Sequence, residues 1–429
     1  MLLLLSLVAL CAGCGDDSAR AGPGGTSTST TTGGGDTGEI ETGVGTTGEP
    51  SVGSSGSGPG LDTTTDGGAS SSDGGSSGSG GEVACEPATL GQHVWVPGGG
   101  LQRFLYRVSA ETKTRYADYL TSPVNPTVHP VYAASVNLNG DAAAATSNGT
   151  QAPPLALASI TAFAGALENC PDPAATSRGE GDVRPYPDGC LLWRTDLPLE
   201  LVEMVAWTQG EWSEETCRYE NTRVWTTGRS PGSTGDFVLL LDGDSGAVLE
   251  EIELTGGPLF QGAVDADGNL WASRGAAPIV RVRLDDLSVT TFQQSGWIAI
   301  GPENAVWTCG TSVSRRDPET EAWQAFPGVS SLRGCKVDAA GNAWLTGQGV
   351  TVLEPGGEQV FELGAAGALT SLNFDAAGRV WAGDSTNAQL LVLDPEEGAF
   401  ELVDEGYPYV ICNGDLTGMQ LHNLSAAVR

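Results

Sequence analysis

Short runs of four to seven β-favouring residues alternate with turns rich in Gly, Asp, Asn and Pro over most of the chain after about residue 90. This alternation predicts a succession of short antiparallel strands joined by tight turns. The clearest copies read LFQGAVDADGNLWASRGAAPIVRVRLDDLSVTTF, LRGCKVDAAGNAWLTGQGVTVLEPGGEQVFEL and LTSLNFDAAGRVWAGDSTNAQLLVLDPEEGAFELV. Each copy contains four such runs, and therefore two hairpins.

A tryptophan follows the first turn of four successive copies at nearly constant spacing. Trp271, Trp307, Trp344 and Trp381 lie 36, 37 and 37 residues apart, in the phrases VDADGNLW, AIGPENAVW, VDAAGNAW and FDAAGRVW. A fixed period in this range marks a structural unit that buries its apolar face only against copies of itself. Four antiparallel strands per period are the content of one propeller blade. The sequence therefore predicts an all-β fold, a β-propeller of four-stranded antiparallel blades.

Looser copies extend the repeat toward the N-terminal side. One contains Trp95, one has Gly140-Asp141 at its first turn, and one contains Trp225 and is lengthened by an insert over about 207–219. The total is seven blades, with six or eight as alternatives. The first copy lacks an innermost strand, whereas the tail YPYVICNGDLTGMQL repeats the opening of a blade. We therefore expect the two ends of the folded region to share one blade and close the ring.

The aspartates that begin the clearest turns, Asp265, Asp338 and Asp375, have two interpretations. They could bind calcium, but their loops are far shorter than the loop of an EF-hand. Aspartate before glycine is also the expected turn former, and we interpret these residues as structural. The recurring indoles are interpreted in the same way, as packing between blades rather than as a surface that stacks on carbohydrate.

The N-terminal residues predict export and lipidation. Residues 1–13 form an apolar run too short to span a bilayer and typical of a bacterial signal peptide. Cys14 follows Ala12 and Gly13 as the lipidated cysteine follows small residues in a lipobox, which predicts a lipid anchor in the bacterial cell envelope. The anchor could face the periplasm or the cell surface. Residues 14–83 are almost wholly Gly, Ser, Thr, Asp and Glu, which predicts a disordered tether of about 45 Å before a propeller over 84–429.

The formal charge of −33 excludes some classes of partner. Ten acids and one arginine lie between residues 15 and 83, a net charge of −9, so the remainder has a net charge of −24. Such a surface repels nucleic acid and anionic lipid headgroups. We expect a monomer that contacts the membrane through its lipid anchor, binds an unidentified protein or carbohydrate ligand, and does not bind nucleic acid. No cofactor is predicted, with Ca²⁺ or Mg²⁺ in the central channel as an alternative.

Seven cysteines follow Cys14, and none has the C-x-x-C spacing of a zinc or thioredoxin-type site. Two of them bound a polar insert near 164–200 that is rich in Pro and Gly, which a disulfide would close. Two lie in neighbouring repeats, and two lie near opposite ends of the folded region. The predicted pairs are Cys170–Cys190, Cys309–Cys335 and Cys85–Cys412. Cys217 is then left unpaired.

Nothing in the chain predicts a catalytic residue. The three histidines, His93, His129 and His422, fall in separate stretches without the spacing of metal ligands. The folded part has no nucleophile elbow, phosphate-binding loop or dinucleotide fingerprint. Carboxylates are abundant, but the sequence does not select a pair for acid–base chemistry.

The D-x-x-G-N-x-W turns over about 91–420 resemble the blades of the streptogramin (virginiamycin B) lyase-like propellers and their NHL and YVTN relatives. The phrase ASVNLNGDAAAATSNG, the Cys-bounded insert and the closing NGDLTGMQL are similar to propeller lipoproteins of myxobacterial type, which have no assigned activity. The lyase resemblance implies metal-assisted elimination by histidine and glutamate on the channel face. The clear blades contain no matching histidine, so no catalytic residue is transferred.

The leading functional hypothesis is a membrane-anchored lipoprotein that displays its propeller as a binding or scaffold module. The alternative is a propeller enzyme of lyase, lactonase or quinoprotein type, with a divalent cation held by carboxylates in the central channel. A structural envelope protein is a third possibility. Propellers support binding and catalysis alike, so the fold does not decide among these hypotheses.

Overall fold

The computed structural model describes residues 85–98, 103–123, 130–147, 158–230, 235–329, 331, 333–364, 367–404 and 414–427. The predicted signal peptide, Cys14 and the predicted tether lie outside these residues, as do His129 and Cys412. Strands dominate the described part, and none of its helices has the length and apolar character needed to cross a bilayer.

The first three sheets begin near the N-terminal end of this region. Blade 1 consists of β1 (His93–Pro97), β2 (Phe104–Ser109) and β3 (Arg115–Leu120). Blade 2 consists of β4 (Val131–Val136), β5 (Ala142–Thr146), β6 (Ala158–Phe163) and β7 (Leu191–Leu197). Blade 3 begins with β8 (Leu201–Trp207), is interrupted by a hairpin of β9 (Glu211–Ser213) and β10 (Arg218–Glu220), and continues with β11 (Arg223–Arg229), β12 (Asp236–Asp242) and β13 (Val248–Leu254).

The remaining blades have four consecutive strands each. Blade 4 contains β14 (Gln261–Val264), β15 (Leu270–Arg274), β16 (Ala277–Val282) and β17 (Val289–Thr291). Blade 5 contains β18 (Trp297–Ile300), β19 (Val306–Cys309), β20 (Val313–Arg316) and β21 (Trp323–Phe326). Blade 6 contains β22 (Gly334–Val337), β23 (Ala343–Thr346), β24 (Gly349–Leu353) and β25 (Gln359–Gly364). Blade 7 contains β26 (Leu369–Phe374), β27 (Val380–Asp384), β28 (Gln389–Asp394) and β29 (Ala399–Asp404), and a helix α1 (Met419–Ala427) follows it.

The sheets are arranged radially around a central axis. All pairings are antiparallel, and the first strand of each complete blade contacts the first strand of the next, in the order β4, β8, β14, β18, β22 and β26. These first strands are therefore the inner strands, and the later strands of each blade lie progressively outward. The predicted seven-bladed propeller is confirmed.

The ring closes where the two ends of the described chain meet in blade 1. The Trp95 N–H donates to the Leu416 carbonyl at 3.0 Å, and the Gly91 N–H donates to the Thr417 carbonyl at 3.1 Å. Residues 414–417 thus lie beside β1, on the inner side of blade 1. Blade 7 packs on the same blade from the other direction, with an ion pair of 3.0 Å between Arg115 and Asp404.

Each turn aspartate ties its turn to the indole six residues later. The indole N–H groups of Trp271, Trp344 and Trp381 donate to Asp265, Asp338 and Asp375 at 2.9, 2.9 and 2.8 Å. Every one of these carboxylates also accepts two backbone N–H bonds from its own turn. The three indoles are at most 7% exposed, so they belong to the core and lack the exposed faces that carbohydrate stacking needs.

Blade 5 has the indole without the aspartate. Gly301 stands at the aspartate position, where a Cβ atom would lie only 2.7 Å from Cγ1 of Val337 in the next blade. The Trp307 side chain is fully buried, and its indole nitrogen has no hydrogen-bond partner among the described residues. Blade 5 therefore contains a buried N–H group that the other clear blades satisfy.

Helix α1 crosses one end of the ring. Leu421 packs in a cluster with Leu138 of blade 2, whereas Leu424 packs with Ile298 and Ile300 of blade 5, on the opposite side of the axis. The buried Asp415 carboxylate accepts N–H bonds at the start of the helix, from Gly418 at 3.0 Å and from the two residues that follow Met419. The sequence pattern predicts a strand-like tail here, whereas residues 419–427 form a helix.

The described residues form three disulfides, two of which join the pairs expected from the sequence. These are Cys170–Cys190, Cys309–Cys335 and Cys85–Cys217. The predicted Cys85–Cys412 bond is wrong, because Cys85 pairs with the cysteine that the sequence analysis left over. Cys217 lies in the turn between β9 and β10, and that hairpin docks on blade 2 through an ion pair of 2.8 Å between Arg218 and Asp141. The docking brings Cys217 to the N-terminal segment.

Candidate ligand-binding cavity

A cavity of about 590 Å³ lies between blade 1 and the Cys-bounded insert of blade 2. Strands β1 to β3 supply His93, Arg107, Tyr116 and Tyr119 to its wall, and the insert supplies residues 176–179. The insert connects β6 to β7, but it folds back over the neighbouring blade instead of making a short hairpin turn. Two blades that are consecutive in the ring thus form one concave site.

Hydrogen bonds hold the insert against the outermost strand of blade 1. The Asp188 carboxylate accepts from the Thr176 hydroxyl at 2.6 Å and from the Ser177 and Cys190 N–H groups at 3.1 and 2.9 Å, which fixes the shape of the insert. Its outer side then pairs with β3. The Gly179 N–H donates to the Tyr116 carbonyl at 2.6 Å, and the Asp118 N–H donates to the Ser177 hydroxyl at 3.0 Å. The insert covers the edge of blade 1 and forms a fixed wall of the cavity.

Arg107 is the principal charged group in the depth of the cavity. Only 8% of its surface is exposed. Its guanidinium carbon lies 5.3 Å from the ring centre of Trp95 and 4.8 Å from that of Tyr116, in the geometry of cation–π contacts. The ring of Tyr116 reaches this position because Tyr116 is the extra residue of a β-bulge between β2 and β3.

The described residues give Arg107 no carboxylate partner. It hydrogen-bonds the His93 Nδ1 atom at 3.2 Å, and its buried Nε atom has no hydrogen-bond partner in this part of the chain. The nearby Asp118 bonds the insert and pairs with Arg115 at 3.6 Å. Asp118 lies across from Tyr106 in the strand register, on the face of the sheet opposite to Arg107. The sheet therefore separates Arg107 from that carboxylate.

Two buried groups beside Arg107, His93 and Tyr119, are uncharged near neutral pH. Burial, assisted by the Arg107 charge, lowers the pKa of His93 to about 4. His93 therefore accepts from Arg107 through Nδ1, which assigns its proton to Nε2. Burial raises the pKa of the Tyr119 hydroxyl, so that it stays protonated. These groups can donate or accept hydrogen bonds, but they do not exchange protons readily at pH 7.

The electrostatics of the cavity differ from those of the whole chain. Its lining contains three arginines and a single acid, Glu111, although the chain has a net charge of −33. Arg178 and Glu111 are exposed at the mouth, while Arg107 is buried. The lining side chains therefore have a formal charge of +2, although Arg115 is paired with Asp118 and Asp404. A concave, partly apolar site of this kind concentrates anions.

A second polar cluster lies near the end of the channel opposite to α1. Glu203 is the extra residue of a β-bulge in the inner strand β8, and Asp236 and Arg229 lie beside it with 3.4 Å between the Asp236 Oδ1 and Arg229 Nε atoms. Burial raises the pKa of Glu203 to about 8, with Arg229 opposing and Asp236 reinforcing the shift. Across the described ranges, no group of three or more His, Cys, Asp or Glu side chains could hold a metal ion.

Few of the residues singled out from the sequence lie at the cavity. His93 and Cys190 line the cavity, whereas His422 is exposed on α1. The repeat tryptophans, Asp265 and Asp375 are buried, and Asp338 is partly buried. Sequence reasoning missed Arg107, Tyr116 and Tyr119. One signal was present, since FLYRVS places an arginine inside a strand whose other central residues are buried. A charge at a core position of a strand indicates a partner or a cavity.

Comparisons with known proteins agree on fold and give no family. No protein family model matches the chain, and no curated protein matches its sequence. Among solved structures, a catalytically inactive virginiamycin B lyase from Staphylococcus aureus with quinupristin is similar at 13% identity, covering 68% of this chain and 87% of that one, with a TM-score of 0.45.

Two further structures show the same degree of likeness. A streptogramin B lyase is 15% identical over 50% of this chain and 72% of its own, with a TM-score of 0.39. Hydrazine synthase from Kuenenia stuttgartiensis is 14% identical over 62% and 76%, with a TM-score of 0.42. Lyase-like propellers are thus among the chains of similar fold, as the sequence resemblance implied. At these identities the likeness is one of fold, and no residue role is transferred from it.

Proposed function

We propose that the protein is a membrane-anchored bacterial lipoprotein whose propeller binds a ligand in the cavity between blade 1 and the insert of blade 2. The observation that supports this most is the buried Arg107, which lines a concave site and has no carboxylate partner among the described residues. Ligand sites are typically concave, with a few well-placed polar groups on partly apolar walls. The proposal places the ligand on the side of the propeller, between two blades.

The chemistry of the cavity favours binding over catalysis. His93 is uncharged at pH 7 and one of its ring nitrogens is occupied by Arg107. The hydroxyls of Thr176 and Ser177 are engaged in holding the insert. A hydrolytic or lyase site needs a group that takes up a proton near neutral pH within reach of a nucleophile or substrate. The described cavity residues form no such pair.

The binding proposal is tested by blocking the mouth of the cavity. Thr114 is exposed at the cavity wall, and Thr291 is exposed on the outer strand of blade 4. We expect compounds that raise the melting temperature of the wild type to lose this effect in Thr114→Trp and to keep it in the control Thr291→Trp. Compounds that stabilise both variants equally would place the ligand elsewhere and contradict the proposal.

The anchor is tested at the predicted lipidation site. Cys14→Ser should release the protein from membranes into the soluble fraction, whereas the control Cys11→Ser should leave it membrane-bound. Membrane association of Cys14→Ser equal to that of the wild type would contradict acylation at this residue.

A propeller enzyme is the second candidate, and Glu203 supports it. A carboxyl group with a pKa of about 8 at the end of the channel opposite to α1 is suited to donate a proton at neutral pH. Metal analysis of the purified protein tests the associated hypothesis of a channel cation. A stoichiometric divalent ion that is lost in Glu203→Gln would favour the enzyme, and a metal content unchanged by that substitution would count against it.

A further inference from the structure

We infer that the ligand of this cavity is a small carboxylate monoanion whose charged group contacts Arg107. The inference rests on the proposed function and adds the chemical class of the ligand. Its basis is the balance of charge and hydrogen bonds around one guanidinium group. An anion against the guanidinium group would supply the missing charge.

The balance of charges around the cavity indicates a ligand with a single negative charge. Arg115, the other arginine on these strands, already has Asp404 at 3.0 Å and Asp118 at 3.6 Å. Asp188, the buried acid on the insert side, is engaged by three donors of its own loop. Arg107 is therefore the one buried guanidinium of the cavity that lacks a counter-ion among the described residues. A monoanion would neutralise it, whereas a phosphate dianion would leave an excess negative charge in a buried site.

The geometry of the guanidinium group also suits a carboxylate. A guanidinium group presents its N–H groups in a planar fork that matches the two oxygens of a carboxylate. The Nη2 atom of Arg107 is oriented by His93, and Nε remains as a buried donor. The rings of Trp95 and Tyr116 hold the plane of the guanidinium in place. The group is thus oriented before the ligand arrives, which reduces the entropy lost on binding.

Blade 4 provides a matched control within the same molecule. Arg281 lies across from Trp271 in the strand register, as Arg107 lies across from Trp95. Its guanidinium carbon is 5.4 Å from the Trp271 ring centre, and its buried Nε atom also has no hydrogen-bond partner in the described structure. Stacking of arginine on the repeat tryptophan is therefore a feature of the blade. The difference at Arg107 is the cavity beside it, which Arg281 does not line.

The test compares acids with their neutral analogues on the full chain. Calorimetric titrations would use benzoate against benzamide, galacturonate against galactose, and inorganic phosphate. We expect at least one acid to bind the wild type ~10-fold or more tightly than its neutral analogue. Arg107→Gln should lower the affinity for that acid by about 30-fold or more, whereas Arg281→Gln should leave the affinity within ~2-fold of the wild-type value. The comparison of acid with neutral analogue needs no variant, so it holds even where Arg107→Gln fails to fold.

The possible outcomes distinguish a failure of the ligand assignment from a failure of the proposed function. Equal binding of acid and neutral analogue, blocked by Thr114→Trp, would overturn the carboxylate assignment and leave the ligand-binding function intact. Phosphate that competes as well as the carboxylate would overturn the monoanion assignment. An acid whose affinity falls equally in Arg107→Gln and Arg281→Gln would overturn the role of Arg107. Acid binding that survives Thr114→Trp unchanged would contradict both the inference and the proposed function.

Discussion

Blades 4 and 5 offer a natural comparison of a tryptophan with and without its hydrogen bond. Trp271 donates its indole N–H to Asp265 at 2.9 Å, while the Trp307 N–H is buried without a partner among the described residues. Their aromatic packing is matched, although the Arg281 and Arg316 guanidinium carbons also lie 5.4 and 5.6 Å from the Trp271 ring centre. The two tryptophan side chains are 1% and 0% exposed, and each stacks on a phenylalanine with ring centres 5.0 and 5.4 Å apart. Substitution by phenylalanine therefore removes similar packing from both sites and different polar interactions.

The two substitutions should differ in cost by roughly 3 kcal/mol. Trp271→Phe loses a hydrogen bond to a carboxylate, worth about 1.5–3 kcal/mol. Trp307→Phe instead removes a buried unsatisfied donor, which relieves a penalty of about 1–3 kcal/mol. The sum exceeds the expected difference because the structure around each smaller ring relaxes in part. We therefore expect Trp307→Phe to be the milder substitution by a clear margin.

Urea denaturation of the full chain, followed by far-UV circular dichroism, measures this difference. Circular dichroism is preferable because either substitution alters the tryptophan fluorescence. Asp265→Asn, alone and combined with Trp271→Phe, would complete a double-mutant cycle for the bond itself. Equal costs for the two phenylalanine variants, or a larger cost for Trp307→Phe, would refute the assignment of the repeat aspartate as the partner that stabilises the indole.

Three other predictions concern the channel, the insert and the tail. The pKa of Glu203 is raised to about 8 in the folded protein, so the stability contributed by the protonated carboxyl is complete below the ordinary pKa and is lost as the pH rises through about 8. Glu203→Gln should therefore stabilise the protein by roughly 1–3 kcal/mol at about pH 9 and not at acidic pH. A pH-independent effect in thermal melts would contradict this. The double substitution of Cys170 and Cys190 by serine opens a disulfide of sequence separation 20 and should lower the free energy of unfolding by about 3 kcal/mol, which unchanged urea midpoints would disprove. Asp415→Ala removes the acceptor at the start of α1 and should cost about 1–2 kcal/mol, with faster hydrogen exchange confined to 419–427; unaltered exchange there would exclude a capping role.

The repeat could be predicted from the sequence because its signals are local. A turn of Asp-x-x-Gly followed by a buried indole specifies a hairpin within ten residues, and the period of that hairpin specifies the blade. The closing of the ring followed from the same reasoning, since an incomplete first copy and a tail that repeats the opening of a blade are both visible in the chain. Gly301 was visible as an exception too, although its cause, the contact with Val337 of the next blade, is not local.

The cavity could not be predicted because no period governs the segment that forms it. The Cys-bounded insert was visible, but its docking on blade 1 depends on contacts such as Gly181 with Asp118, which lie 63 residues apart. The same reason explains the wrong Cys85 pairing, since the hairpin that carries Cys217 has no copy in other blades. Helix α1 was missed because nine residues at the end of a chain of strands give too little amphipathic pattern to identify a helix.

The central claim is that the Arg107 guanidinium holds the charged group of a ligand. A crystal structure of the full chain with the best-binding carboxylate tests it most directly. The account predicts carboxylate density in the cavity between blade 1 and the insert, with an oxygen about 3 Å from a guanidinium nitrogen of Arg107. A ligand bound at another surface, or seated in the cavity with its carboxylate turned away from Arg107, would contradict the claim.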